Sequence, residues 1–252
     1  VKLKITLLVP TLNEFEAMVQ VMPLVDRNWI DQILVVDGGS TDGTVEWSRE
    51  QGYDVHIQTQ KGLRQAYREA LQHIKGDVVI TFSPDGNSLP EKILPLVEKM
   101  KEGYDMVIVS RYLPPAKSQD DGFITGFGNW FFTKLTNILH HANYTDAFVM
   151  FRAYKVSLFH DLYILEDGDY RTPERLFRTK IPIEPLLSVR AARAKCRVTE
   201  IPGDEPPRIG GVRKLQVIRW GAGFLYQIIR EVFARKRRAV QQTKGVAYEL
   251  SN

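Results

Sequence analysis

Five short apolar runs, each closed by a polar turn and four of them followed by an amphipathic stretch, constrain this chain more than any other feature. They are Leu3 to Val9, Ile33 to Val36, Val55 to Ile57, Asp77 to Phe82 and Met106 to Val109. The stretches between them carry apolar residues at helical spacing, such as Phe15, Met18, Val19 and Met22 after the first run and Ile93, Leu96, Val97 and Met100 after the fourth. Strand and helix therefore alternate through roughly residue 112. That alternation predicts parallel strands joined by crossovers and covered on both faces.

In an open parallel sheet, ligands collect at the carboxyl edge, where strand exits and helix starts converge. The exits here are acidic or cationic. Asn13 and Glu14 follow the first run, Asp37 ends the second, Asp85 and Asn87 follow the fourth, and Arg111 follows the fifth. Solubility alone does not select strand exits for such groups, so they are expected to face one crevice. Asp85-Gly86-Asn87 by itself also reads as a tight turn, since all three residue types favour turns. The second acidic turn, Asp37-Gly38-Gly39-Ser40-Thr41-Asp42-Gly43-Thr44, argues for a site.

The sheet type is a nucleotide-binding one, yet no dinucleotide glycine pattern follows the first strand and there is no Gly-Lys-Ser/Thr phosphate loop. A bound diphosphate would then need a divalent ion or basic side chains. Mg²⁺ takes only one or two protein carboxylates and fills its shell with phosphate and water, so Asp85 with Asn87 suffices for Mg²⁺ or Mn²⁺. Arg208 and Lys214 supply further positive charge.

Beyond Arg111 the pattern changes. A polar loop, Lys117 to Asp121, precedes an aromatic helix expected over Phe123 to Leu139, and an apolar stretch, Phe148 to Phe151, joins Arg152-Ala153-Tyr154. The segment from Arg213 to Arg238 has a wide apolar stripe with basic ends, which suits an amphipathic helix lying at a membrane interface, packed on its own domain or in a dimer. From Arg208 to Arg238 there are nine Lys or Arg residues against one acid, Glu231, although the net charge of the 252-residue chain is only +4. An anionic partner is implied. Nucleic acid is disfavoured, because that third has no zinc motif and no regular interleaving of aromatics, and it would leave the acidic strand exits unexplained.

The longest uncharged run of interest, Gly122 to Thr133, is too short for the roughly 20 residues of a membrane span. The single cysteine, Cys196, removes any internal disulfide or cysteine cluster and fits a reducing compartment. The chain opens directly on a strand-like pattern, without a signal-peptide pattern. The expected location is cytoplasmic, with contact to the cytoplasmic face of a membrane through residues 213–238. Oligomeric state is not legible.

Val9-Pro10-Thr11-Leu12-Asn13-Glu14, the Asp37 turn, and Ser83-Pro84-Asp85 followed by Pro90-Glu91 resemble the family-2 inverting glycosyltransferases of GT-A fold. Ser110-Arg111-Tyr112, Phe151-Arg152-Ala153-Tyr154, Glu200-Ile201-Pro202 and Arg208-Ile209-Gly210-Gly211-Val212-Arg213-Lys214-Leu215 resemble the dolichol- or polyprenyl-phosphate mannosyltransferase branch of that family. The resemblance covers roughly residues 3–220. It implies an α/β, GT-A-like, mostly parallel sheet over residues 1–212 with a basic amphipathic helical extension over 213–252. It implies transfer of a hexose from GDP-mannose or a UDP-sugar to a polyprenyl or dolichyl phosphate.

On this resemblance Pro10, Asn13, Glu14 and Asp37 hold base and ribose, and Lys61, Gly62, Ser83 and Arg111 complete the donor set. Asp85 is the second acid of the family's Asp-x-Asp metal motif and Asn87 a further ligand. The chain departs from the pattern at Ser83 and Gly38, where the family usually has aspartate, which opens the alternative of a non-catalytic nucleotide-sugar-binding module. A lipid phosphate is already a nucleophile, held by Arg152, Arg208 and Lys214. A hydroxyl acceptor of a glycan or glycolipid needs a base, and Asp146 takes that role. Structural readings stand beside these: an ion pair for Arg152, a cap for Asp146 and a packing role for Arg111.

Overall fold

In a computed structural model, residues 3–209 and 217–234 are described. Lys214, most of the basic tail and the expected division at residue 212 lie outside them.

Among the described residues, seven strands form one sheet: β1 (Ile5–Thr11), β2 (Gln32–Asp37), β3 (Asp54–Ile57), β4 (Val78–Thr81), β5 (Met106–Ser110), β6 (Arg152–Lys155) and β7 (Val198–Pro202). Their order is β3-β2-β1-β4-β6-β5-β7. β1 pairs in parallel with β2 and β4, β2 with β3, and β5 with β7, whereas β6 is antiparallel to both β4 and β5. Six strands therefore run the same way, and their carboxyl ends share one edge. This is the mostly parallel GT-A-like α/β sheet that the sequence resembles.

Among the described residues, nine α-helices flank it: α1 (Phe15–Val21), α2 (Thr44–Glu50), α3 (Leu63–Ala70), α4 (Ile93–Lys101), α5 (Phe123–His140), α6 (Leu158–Asp161), α7 (Gly168–Phe177), α8 (Glu184–Arg193) and α9 (Val217–Phe233). Strand side chains alternate between faces, so the sheet builds two cores. Leu7, Val9, Val35, Ile80 and Val107 pack with Met18, Leu96 and Met100 on one side. Leu8, Leu34, Val36, Val79 and Ile108 pack with Tyr67, Leu186 and Leu187 on the other. Burying both faces explains why the early strands read as unbroken apolar runs.

The second half of the chain adds an all-helical buttress. α9 runs alongside α5, with Phe132 meeting Phe224 edge-on at a ring separation of 6.1 Å. Gly221 lets the helices approach, because a Cβ there would sit 3.3 Å from Phe132. Beneath α9, Arg190 and Arg230 clamp Asp169 at 2.7 and 2.6 Å, and Arg190 also holds Glu231 at 2.8 Å. No helix among the described residues is long and apolar enough to cross a membrane.

Candidate active site

The turn after β4 is the best-defined piece of the carboxyl edge. Gly86 adopts φ +91°, a conformation that favours glycine. The Asn87 N–H donates to Asp85 Oδ1 at 3.1 Å, and the Ile209 N–H donates to the Asp85 carbonyl at 2.6 Å. A Cβ on Gly86 would lie 3.0 Å from Ile209. The segment that carries Arg208 and Ile209 is thus docked on the turn, and Arg208 Nη2 lies 3.4 Å from Asp85 and 3.8 Å from Asp120.

A cavity of about 300 Å³ opens here. Ser83, Asp85, Asn87, Arg111, Asp120 and Arg208 line it, together with Asp204 and Glu205 from the loop after β7, the segment Phe148 to Phe151, and Trp220 of α9. That loop follows Gly203, where a Cβ would fall 2.2 Å from Val109, so only glycine lets the loop cross β5 so closely.

Among the described residues no cluster of three or more His, Cys, Asp or Glu side chains is arranged to hold a metal by itself. The donor set nonetheless suits a cation shared with a substrate phosphate. Asn87 donates its amide to Asp120 at 3.1 Å, which leaves its Oδ1 buried without a partner, in the turn that carries the Asp85 carboxylate. A buried oxygen without a donor is costly, and a cation would satisfy it. Four carboxylates line the cavity against two guanidinium groups, so positive charge must accompany any diphosphate that enters.

The model of "Glycosyl transferase family 2" matches residues 6–163, more than half of the chain. The chain belongs to that family.

This family-2 glycosyltransferase is 28% identical over 231 residues to "Glycosyltransferase AglJ" of Haloferax volcanii, which covers 90% of this chain and 71% of the relative. It is 26% identical over 252 residues to the undecaprenyl-phosphate mannosyltransferase of Micrococcus luteus, covering 90% of this chain and 98% of that one. Its fold matches a crystal structure of glucosyl-3-phosphoglycerate synthase from Mycobacterium tuberculosis in complex with Mn²⁺, UDP and phosphoglyceric acid. The TM-score is 0.64 at 19% identity, over 93% of this chain and 80% of that one.

The residues singled out in the sequence separate into distinct groups in this glycosyltransferase. Ser83, Asp85, Asn87, Arg111 and Arg208 meet in the cavity. Asn13, Glu14 and Asp37 sit on the same sheet edge, where the loops after β1 and β2 are tied together. Asn13 Oδ1 accepts from the Thr41 N–H at 2.9 Å, and the Glu14 N–H donates to Thr44 at 3.1 Å. The expectation that all these groups face one crevice holds for the edge but not for the cavity. The Asp37 carboxylate is fully buried and accepts from the N–H groups of Gly39 and Ser40 and from the hydroxyls of Thr11 and Ser40. It shapes the turn. Pro10 pairs with Val36 inside the sheet, and Lys61 and Gly62 lie exposed ahead of α3. The glycine at 38 has a packing cause, since a Cβ would stand 3.2 Å from the Gln58 side chain and 3.4 Å from the Thr11 carbonyl.

Arg152 corrects an expectation. It was expected to hold an acceptor phosphate, but it is fully buried on β6, where alternation turns it toward α8. Its guanidinium donates to the Val149 carbonyl at 2.8 Å and to Ser188 Oγ at 2.9 Å, so its role is structural.

Asp146 also differs from a free base. It is fully buried and bound by Arg111, with Nε to Oδ2 at 2.6 Å and Nη2 to Oδ1 at 3.1 Å. Glu200 holds the backbone there, accepting from the Thr145 and Asp146 N–H groups at 2.8 and 3.0 Å. Arg111 further contacts Glu205 and Asp121 at 3.2 and 3.4 Å. Burial alone would lower its pKa, but Asp146, Glu205 and Asp121 outweigh that and raise it well above the ordinary value. Burial raises the Glu205 pKa against the pull of Arg111. Asp120, Asp121 and Trp220 were not singled out as site residues. The acidic pair nine and ten residues after Arg111 was the available signal.

Proposed function

We propose that this glycosyltransferase uses a divalent cation, Mg²⁺ or Mn²⁺, to transfer a hexose from a nucleotide-diphosphate sugar with inversion at the anomeric carbon. The observation that carries the reading is the partnerless Asn87 Oδ1 in the same turn as the Asp85 carboxylate, within a cavity at the carboxyl edge. When bound, the cation supplies charge neutralisation of the leaving diphosphate. Arg208, docked beside the same turn, shares that work, and Lys214 is assigned to it from the sequence. Asn13, Glu14 and the Asp37 turn lie along the same edge as a platform for the nucleoside, with Pro10, Lys61 and Gly62 beside it. The acceptor oxygen forms its bond to the anomeric carbon as the bond to the diphosphate breaks, and the electron pair leaves with the nucleotide.

Two acceptor classes have specific support. A hydroxyl acceptor of a glycan, glycolipid or phosphorylated acid is favoured by the fold shared with glucosyl-3-phosphoglycerate synthase and by Asp204, a carboxylate in the cavity. Asp204 is better placed as base than Asp146, which is committed to Arg111. A polyprenyl phosphate is favoured by the Micrococcus relative and by an apolar groove of about 190 Å³ between α5 and α9. The groove shares Arg111, Phe148 and Trp220 with the cavity, and its Asn129 amide has no partner. We assign the enzyme to the cytoplasm or the cytoplasmic face of a membrane, consistent with the free thiol of Cys196.

The test is nucleotide release from a panel of GDP- and UDP-sugars with Mg²⁺ or Mn²⁺, run alone, with polyprenyl phosphate and with 3-phosphoglycerate. Acceptor-stimulated release that EDTA abolishes is the expected result, and the stimulating acceptor selects the class. Nucleotide-sugar binding without release from any donor would replace catalysis by a binding module.

A further inference from the structure

The end of the molecule at which the α5–α9 groove opens carries two unusual surfaces. The first is apolar. On α5, Phe123 is 90% exposed, Ile124 69% and Phe127 56%, and on α9 Ile218 is 86% exposed. No charged residue interrupts positions 122–133. Large exposed aromatic side chains on a helix start are an uncommon cost for a protein in water.

The second surface is cationic. Arg171, Arg175, Arg178 and Lys180 surround an open depression at the C-terminal end of α7. The acid within it, Glu174, is already committed to Arg64 at 3.2 Å as well as to Lys180 at 3.3 Å. The two surfaces adjoin. Arg219 of α9 donates to the Arg178 carbonyl at 3.5 Å, and Pro182, two residues past Lys180, lines the groove beside Ile124 and Val217.

We infer that this end is a docking surface for an anionic lipid bilayer, with Phe123 and Phe127 entering the headgroup boundary and Arg175, Arg178 and Lys180 contacting the lipid phosphates. The occupant follows from charge and chemistry together. Cations flanking exposed aromatic and aliphatic side chains match the interface of an anionic leaflet, where apolar groups seat below the headgroups. Docked this way, the groove between α5 and α9 opens onto the leaflet. The inference rests on the lipid-acceptor reading for its purpose but not for its test. It differs from the contact expected through residues 213–238, since most of its residues lie on α5 and α7.

The experiment is co-sedimentation of the full chain with phosphatidylcholine vesicles and with vesicles containing 30% phosphatidylglycerol (a composition of about that fraction, chosen for its surface potential). The variants are Arg175→Glu/Lys180→Glu and Phe123→Ser/Phe127→Ser, all at exposed positions outside the catalytic cavity, with circular dichroism as the check of folding. Wild-type chain is expected to bind the anionic vesicles and to bind the neutral ones weakly. Each double variant is expected to lower anionic-vesicle binding by about tenfold or more. Failure of the wild type to bind, or wild-type binding by both variants, overturns the inference, the second result moving the contact to the basic tail. Nucleotide release in detergent, measured on the same proteins, judges the transferase reading separately.

Discussion

In the proposed function, Asp85 is the carboxylate assigned to the cation. Replacing it with alanine removes the carboxylate and the bond it accepts from the Asn87 N–H, while the Ile209 N–H still binds the backbone carbonyl of residue 85 and Arg208 keeps Asp120. Asp85→Ala is therefore expected to lower cation-dependent kcat/KM by about two orders of magnitude or more while the melting temperature stays near wild type. Steady-state kinetics beside calorimetry checks both halves, and unchanged turnover would remove Asp85 from the site. Gly203 is the structural counterpart. Its Cβ would lie 2.2 Å from Val109, so Gly203→Ala is expected to cost about 1–3 kcal/mol in urea denaturation by overpacking. It should also displace Asp204 and Glu205 and depress activity with them.

At the scale of elements, α9 depends on a buried ionic clamp. Burial pushes the pKa of Asp169 and Glu231 up, but Arg190 and Arg230 on both, and Arg193 on Glu231, outweigh it, so both carboxylates end below their ordinary values. Depressed carboxylates stabilise the fold above the ordinary carboxylate range and lose that contribution as pH falls through their folded values. Hydrogen-exchange protection across 217–233, relative to the intrinsic rate at each pH, is expected to fall below about pH 4, ahead of the sheet. Glu231→Ala leaves Arg190 and Arg193 short of a buried partner and is expected to cost about 3–5 kcal/mol. Equal protection factors at pH 5 and pH 3 would dismiss the clamp.

What the sequence disclosed at this scale follows from burial. β1, β2, β4 and β5 were legible because both their faces are covered, β3 only as a short apolar-edged run at the open side of the sheet, and α5 because its aromatic run is long. β6 was not. Arg152-Ala153-Tyr154-Lys155 shows neither an apolar run nor a simple alternation, because its arginine is buried by hydrogen bonds to backbone carbonyls rather than excluded. β7 interleaves Thr199 and Glu200 with apolar residues, since Glu200 is needed to hold Thr145 and Asp146. The cavity was half legible. Asp85, Asn87 and Arg111 announce themselves by position at strand exits, whereas Asp120 arrives from a loop whose placement depends on the segment after β7 and on Gly203. Arg152 and Asp146 each left a structural and a functional reading open for one reason. A charged residue near a motif does not reveal whether its partner is a ligand or the protein itself.

For the molecule as a whole, the cation is expected to serve catalysis and not the fold. The Asp85 turn is held by its own hydrogen bonds, and no cluster among the described residues depends on a metal. EDTA is thus expected to abolish nucleotide release while leaving the far-ultraviolet dichroism and the melting temperature within a degree or two (about the shift of a fraction of a kcal/mol for a chain of this size). A large fall in melting temperature would give the metal a structural role.

The position of β6 between β4 and β5 has a consequence for how the chain comes to be built. Strands β1 to β4 find all their mutual neighbours within the first 81 residues, but both neighbours of β5 come later, at 152–155 and 198–202. During synthesis, β5 therefore leaves the ribosome with two unpaired edges, and it stays so until some 45 more residues have followed it (an order-of-magnitude wait of seconds at typical elongation rates). The half-made protein is a four-stranded sheet trailing one sticky ribbon, and that interval is when a chaperone would have most to do.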